Sequence, residues 1–329
     1  MSVPGLLANL SLPIFGAPLF IVSDPGLVIA QCRAGIVGCF PALNARPQSQ
    51  LSSWLYGIAE ELDDARSRGE AVAPYAVHLI AHPSNVRQAE DVAVCARFSV
   101  PLVITSLGMP TDIVAAVHSW NGLVFHEVAT LRDAQAAMQA GVDGLILVCA
   151  GAAGHAGALS PFAFVDEVRA FWEGPLVLSS AVSTGRGVLA AQIMGADFAS
   201  LGSRFIATEE ARAAEGYKAM LRDSRAAAIV PAPLVGGASG DVLARSLDGS
   251  LNGASLVMEP DPSSPADGAR PWRDSQGVGS ITEVLPVALL VQRLRSEYLA
   301  ARSARIRIAA APSVAASFEE PSSRGARAS

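Results

Sequence analysis

Lysine is nearly missing from this chain. Of 24 basic residues in 329, only Lys218 is a lysine and the rest are arginines. A Schiff-base mechanism would have to use it, and its neighbours read as an exposed helix, which disfavours class I aldolase and pyridoxal phosphate chemistry. Charge is also scarce, at 16% of residues with a net of −6, and no basic cluster is longer than two residues. That argues against nucleic acid as a partner. The four cysteines, Cys32, Cys39, Cys95 and Cys149, form no C-x-x-C pair. A zinc site or dithiol centre therefore has no support, and a reduced, cytoplasmic setting is expected. No H-x-H, H-E-x-x-H or carboxylate cluster suggests a metal. The opening MSVPGLLANLSLP lacks a positive n-region, so no signal peptide is expected. The apolar runs stop at about strand length, short of the ~20 residues of a membrane helix.

What is present is a chain that is 51% hydrophobic, with 29 glycines, too apolar for disorder. Short apolar runs alternate with helical patterns. The candidate strands are PIFGAPLF (13–20), IVGCF (36–40), YAVHLI (75–80), PLVITSLG (101–108), LVFHEV (123–128), GLILVCA (144–150), PLVLSSA (175–181) and FASLGSRFI (198–206). Near-continuous apolar strands are the pattern of burial on both faces. Helices are expected after each, from an Asp24-Pro25 start to 208–224. Eight strand–helix units without a G-x-G-x-x-G after the first strand predict an α/β fold, a (β/α)₈ barrel over 1–225. A C-terminal extension over 226–305, with a helix near 239–248 and another over 281–302, would pack on it. A disordered tail is expected over 306–329.

In such a barrel the active site lies at the C-terminal ends of the strands. The first junction offers Gly16 and Ala17, where a planar ligand could lie against backbone. His78, Thr105 and His126 follow on the third, fourth and fifth strands. A histidine within an apolar strand is more often a core residue than a catalyst, but two at one barrel mouth strengthen the functional reading. The sixth junction, CAGAAGHAGALSP (149–161), is mostly glycine and alanine around a single imidazole, His155. Glycine lets backbone approach a ligand closely, and an imidazole titrates near working pH. The seventh and eighth junctions, SSAVSTGRG (179–187) and LGSRF (201–205), read as an anion site of backbone N–H groups and a helix start near Thr184.

These segments resemble the nitronate monooxygenase family of FMN-dependent barrels over roughly residues 12–303. The run AGIVGCFPALNARP (34–47), the loop GAAGHAGALSPF (151–162), TGRGVLAAQIMGAD (184–197), GSRFIATEEARAAEGYKAM (202–220) and QGVGSITEV (276–284) carry the resemblance. It implies FMN across the barrel mouth. The phosphate would lie at Ser180, Ala181, Gly202 and Ser203, and the flavin ring near Gly16, Ala17 and Leu19. His78, Thr105, His126, Gly151 and Gly154 would line its edge, with Gln276 and Gly277 reaching in from the extension. His155 matches the family's active-site histidine. In family terms an alkyl nitronate is oxidised with O₂ to a carbonyl compound and nitrite, with His155 as base or substrate-positioning group.

The chain departs from the family pattern at several positions. The phosphate turn is Ser180-Ala181 where Gly-Gly or Gly-Ala is usual, and alanine takes glycine-only angles at a cost. Leu19 stands where methionine is common, and His78 where asparagine is. The stretch WRDSQGVG (272–279) is also shorter than usual. Two other functions fit the same pattern: an NAD(P)H-dependent flavin enoyl-thioester reductase, which shares the barrel, and a flavin-binding protein without turnover. A homodimer is a further expectation.

Overall fold

The computed structural model describes residues 4–153, 157–233, 239–244 and 274–310. Eight strands form one parallel sheet: β1 Ile14–Gly16, β2 Gly38–Pro41, β3 Tyr75–Ile80, β4 Leu102–Ser106, β5 Leu123–Val128, β6 Gly144–Val148, β7 Leu176–Ser179 and β8 Phe198–Leu201. Each pairs in parallel with its sequence neighbour from β2 to β8, and β8 pairs with β1. A parallel bridge from Phe15 to Val37, with Gly16 N–H donating to Val37 O at 2.8 Å, closes the ring. This is the (β/α)₈ barrel that the alternation predicts.

The apolar strands are explained by two separate packing layers. Phe15, Cys39, Ala76, Ile104, Phe125, Ile146, Val177 and Phe198 fill the lumen. Their alternates, among them Val77, Val103, Val124, Leu145 and Leu178, pack outward against the helices. These helices are α1 Pro25–Arg33, α2 Gln50–Ser67, α3 Gln88–Arg97, α4 Thr111–Ser119, α5 Leu131–Gln139, α6 Pro161–Arg169, α7 Gly185–Met194 and the single-turn α8 Ser203–Ile206. Side chains of Asp24, Thr130 and Thr184 cap α1, α5 and α7 by accepting from Leu27, Asp133 and Gly187 N–H.

Outside the barrel proper, several expectations are corrected. The ninth helix, α9, spans only Glu215–Arg222. Residues ahead of it spend their donors elsewhere: Glu209 N–H goes to Leu285 O and Arg212 N–H to Val22 O. Lys218 is not exposed. It is 4% accessible, on the side of α9 that buries Tyr217 and Leu221, with Nζ 3.5 Å from Glu215. The first residues of the expected 239–248 helix form a strand instead. β10 (Ser239–Leu243) pairs antiparallel with β9 (Ile229–Pro233). The last helix, α10, runs over Val287–Ala310, starting after Pro286 and extending past 302.

α10 seats directly on α7. A Cβ on Gly185 would lie 2.0 Å from Leu294 O, so only glycine admits this approach. Glu297 then accepts from Gly185 N–H at 2.8 Å. Among the described residues, no helix is long and apolar enough to cross a membrane.

Candidate active site

Positions from several separate chain segments meet on the β6–β8 side of the mouth. Gly151, at φ +82°, follows β6, and its carbonyl accepts from Gln276 N–H at 3.0 Å. A Cβ at Gly151 would come within 3.3 Å of both Ala181 Cβ and Gln276 Oε1. Gly277 approaches more closely still: a Cβ there would meet Ser183 Oγ at 2.1 Å and Ala181 O at 2.9 Å. The extension thus folds its Gln276-Gly277 step onto the turn after β7. Gly202 lies beside the first junction, its Cβ direction 3.5 Å from both Ala17 Cβ and Leu19 Cδ2. Ser203 is buried and exchanges hydrogen bonds with the extension, accepting from Ser275 N–H at 3.0 Å and pairing with Ser275 Oγ at 3.0 Å.

The turn at Ser180-Ala181 needs no glycine. Ala181 is not among the positive-φ residues, and Ser180 Oγ fixes the turn by donating to Ala150 O at 2.7 Å. The N-terminus of α7, expected to suit an anion, already holds one, because the Glu297 carboxylate takes its first N–H. The reading of 184–187 as part of the anion site is corrected accordingly.

The β2–β5 side is chemically different. His78 lies two residues beyond the lumen residue Ala76 on β3, and its Nε2 is 2.8 Å from Ser106 Oγ on β4. Glu127 lies two residues beyond Phe125 on β5. The alternation of strands places His78, Ser106 and Glu127 on the lumen face. Thr105 and His126 occupy the other face, in line with Val103 and Val124 of the outer layer. They are hydrogen-bonded to each other at 2.8 Å and both are buried. Burial pushes the His126 imidazole down to about 4, so it is neutral at pH 7. Burial pushes Glu127 up to about 7. The sequence offers Glu127 beside His126 at the fifth junction without singling it out; it is the carboxylate on the lumen face of β5. His155 and Gly154 lie outside the described residues.

A third cluster lies behind Ser203. Asp274 is fully buried and accepts from Tyr217 Oη at 2.7 Å. Burial raises its carboxyl to about 7, against the opposing effect of hydrogen bonds from Ser203 and Tyr217. Among the described residues, no group of three or more His, Cys, Asp or Glu could hold a metal ion.

Comparison with known proteins shows the family. The family model for nitronate monooxygenase matches residues 55–258, more than half of the chain. This chain belongs to the nitronate monooxygenase family. The nitronate monooxygenase of Paraburkholderia phytofirmans is 25% identical over 309 residues, covering 80% of each chain. Two solved structures share the fold. FabK from Thermotoga maritima superposes with a TM-score of 0.75 at 22% identity, over 92% of this chain and 97% of its own. A nitroalkane oxidase from Streptomyces ansochromogenes does so with a TM-score of 0.72 at 23% identity, over 91% and 99%. As a nitronate monooxygenase family member, the protein is an FMN-dependent oxidoreductase.

The residues present fit that cofactor. Ser183 Oγ is buried without a hydrogen-bond partner in the turn after β7, a donor that a phosphate oxygen would satisfy. The hydroxyls of Ser180 and Ser203 and the backbone around Gly202 belong to the same region. Neutral hydroxyl and N–H donors are a sufficient cradle for a phosphate monoester.

Proposed function

We propose that the enzyme oxidises alkyl nitronates, and nitroalkanes by way of the nitronate, with O₂, giving a carbonyl compound and nitrite. The observation that carries this reading is the convergence of Gly151, Ala181, Gln276 and Gly277 at one rim of a barrel from this family. Ser180, Ser183, Gly202 and Ser203 would hold the FMN phosphate. Gly16, Ala17 and Leu19 would lie along the ring, with the Thr105–His126 pair buttressing the strand ends beneath it. Bound FMN supplies the electron-accepting chemistry and the reaction with O₂.

The protein's own part is to bind a small substrate in the mouth, orient its reacting carbon and handle one proton. The Gly-Ala loop around His155 supports that residue as base or as the group that positions an anionic nitronate. A nitronate is already electron-rich, so one such group and an apolar pocket are enough.

Anaerobic addition of ethylnitronate and of NADPH to separate samples of the FMN-loaded protein tests the reading. Bleaching of the flavin by nitronate and not by NADPH is expected. Bleaching by NADPH alone would replace this reading with the thioester reductase. A protein that folds yet cannot be loaded with FMN would leave neither.

A further inference from the structure

The loop between β1 and α1 holds two large apolar side chains in solvent, and its hydrogen bonds are spent on keeping them there. Phe20 is 43% exposed and Ile21 45%. Ile21 has φ +68°, a left-handed conformation that a β-branched residue adopts only at a cost. Asn44, after β2, clamps the loop in this shape. Its Oδ1 accepts from Ile21 N–H at 2.8 Å, and its Nδ2 donates to Leu19 O at 2.9 Å and to Ser23 O at 2.8 Å. Ser23 Oγ accepts from Leu19 N–H at 3.1 Å, and the Arg46 guanidinium lies over the Phe20 ring, 5.5 Å from its centroid. Folding alone would favour asparagine or glycine at position 21 and a polar side chain at position 20. Backbone strain that the surroundings enforce at a barrel mouth points to function.

The same pattern recurs after β4. Leu107 has φ +58°, and Met109, two residues on, is 47% exposed. Gly108 between them presses on the β3 loop, where a Cβ would lie 2.8 Å from Ala81 O. Arg87 in turn ties the β3 loop to the β2 loop, donating to Ala45 O at 3.0 Å and Ala42 O at 3.2 Å. Val86 beside it is 92% exposed. The loops after β1, β2, β3 and β4 therefore form one connected rim whose exposed apolar side chains are Phe20, Ile21, Val86 and Met109. The arginines of this rim serve its own backbone, Arg87 as above and Arg46 Nε by donating to Leu43 O at 3.0 Å. The rim also joins the cofactor side without a break, because Leu19 Cδ2 lies 3.5 Å from the Cβ direction of Gly202.

We propose that this rim is a subsite for an aliphatic chain, and that the preferred substrate is a long-chain alkyl nitronate with its head at the flavin and its tail over Phe20 and Ile21 towards Met109. The inference rests on the nitronate reading above and names the substrate class within it. A nitronate of a few carbons has too little chain to cover side chains spread over three loops. A long chain removes them from water together, which supplies the affinity. The clamped backbone at Ile21 lowers the cost of ordering the subsite when the chain arrives. Met109 adds an unbranched thioether that adapts to the chain's path. A second copy of this protein is the rival occupant, but four side chains fall short of the ~800 Å² per partner of a stable protein interface.

The test uses FMN-loaded wild type, Phe20→Ser, Ile21→Asn and Met109→Ser, assayed on n-alkyl nitronates from ethyl to octyl. The matching n-alkyl carboxylates, planar anions that are not oxidised, are titrated by calorimetry as a readout independent of turnover. In wild type, kcat/KM for the nitronates and affinity for the carboxylates should rise about two- to fourfold per methylene, the range for half to full burial of a CH₂. Each variant should flatten that rise. Ile21→Asn should do so with a Tm at or above that of wild type, because asparagine suits the left-handed conformation. A fall in its Tm would assign Ile21 to folding and overturn its role in the subsite. The proposal as a whole is overturned if wild type shows no gain with chain length in either series, or if all three variants keep the full gain. Variants that lose self-association while keeping the gain would assign the rim to a second copy instead. If no nitronate is turned over but the carboxylate series keeps its slope, the nitronate reading fails and the aliphatic subsite stands.

Discussion

The two sides of the barrel mouth are built on the same parallel strands yet carry opposite chemistry. On the β6–β8 side, glycine, alanine and serine bring backbone and hydroxyls together. Gln276 N–H reaches Gly151 O at 3.0 Å, and Ser275 N–H reaches Ser203 Oγ at 3.0 Å. Its rim carries no titrating side chain among the described residues, the buried Asp274 lying behind it. On the β2–β5 side the lumen-facing positions hold Cys39, His78 and Glu127. The difference lies in which side chains the inner positions near the mouth carry, not in the frame. On the proposed reading the cofactor grip belongs to the β6–β8 side, so it should be breakable without disturbing the titratable groups of the other side.

Gly277→Ala is the strongest way to break the grip alone. Its Cβ would meet the backbone Ala181 O at 2.9 Å, and backbone cannot swing aside as a side-chain end can. Overpacking of this kind costs about 1–3 kcal/mol, roughly 5- to 150-fold if it falls on FMN Kd. Fluorescence titration of the apoprotein with FMN should show that loss. The pH profile of the fraction that does load should keep its midpoint, because no titrating group has moved.

Ser203→Ala should have the next largest effect. It removes the acceptor for the buried Ser275 N–H, and an unsatisfied buried donor costs about 1–3 kcal/mol. A drop in thermal stability together with a weaker FMN Kd is expected. A normal Kd at reduced stability would show that Ser203 serves the extension and not the phosphate.

The barrel was legible because its strands are buried on two faces. Near-continuous apolar runs such as YAVHLI and LVFHEV mark their own limits, and β3 and β5 span the ranges read from sequence. The rim was legible through its small residues, since glycines like Gly151 and Gly277 sit where other segments press against them. Long-range competition for backbone donors was not legible. Residues 208–214 look helical in isolation, but Glu209 and Arg212 donate to Leu285 and Val22, far away in the chain. Likewise, nothing local in TGRG tells that Glu297 arrives at Gly185. Which of the adjacent His126 and Glu127 faces the lumen is decided by strand phase, with Phe125 on the inner face and Val124 on the outer.

Asp274 offers a gentler probe of the boundary between the two chemistries, being a titratable group placed behind the hydroxyl cradle. Its folded-state value is raised from 3.8 to about 7 by burial. The folded protein therefore holds this proton more tightly than the unfolded chain does. Its contribution is fully present below 3.8 and is lost as pH rises towards 7, so stability should decline over that window. Asp274→Asn, which keeps an acceptor for Tyr217 without a titrating proton, should reduce that decline when Tm is followed against pH. An undiminished slope would assign the titration to another group.

The smallest effect is expected at Gly202, and it sharpens the contrast with Gly277. On the proposed reading both glycines lie along the cofactor rim. A Cβ on Gly202 would sit 3.5 Å from Ala17 Cβ and Leu19 Cδ2, an ordinary van der Waals contact, and its φ of −105° suits any L residue. Gly202→Ala should therefore fold as well as wild type or gain up to about 1 kcal/mol from the less flexible unfolded chain. The new methyl points at the β1 junction and not at the cradle, so FMN Kd should move by less than about 1 kcal/mol. A large loss of FMN affinity without loss of Tm would mean that the Gly202 backbone itself lies against the cofactor. The grip would then depend on close backbone approach at β8 as well as at the Gln276-Gly277 step.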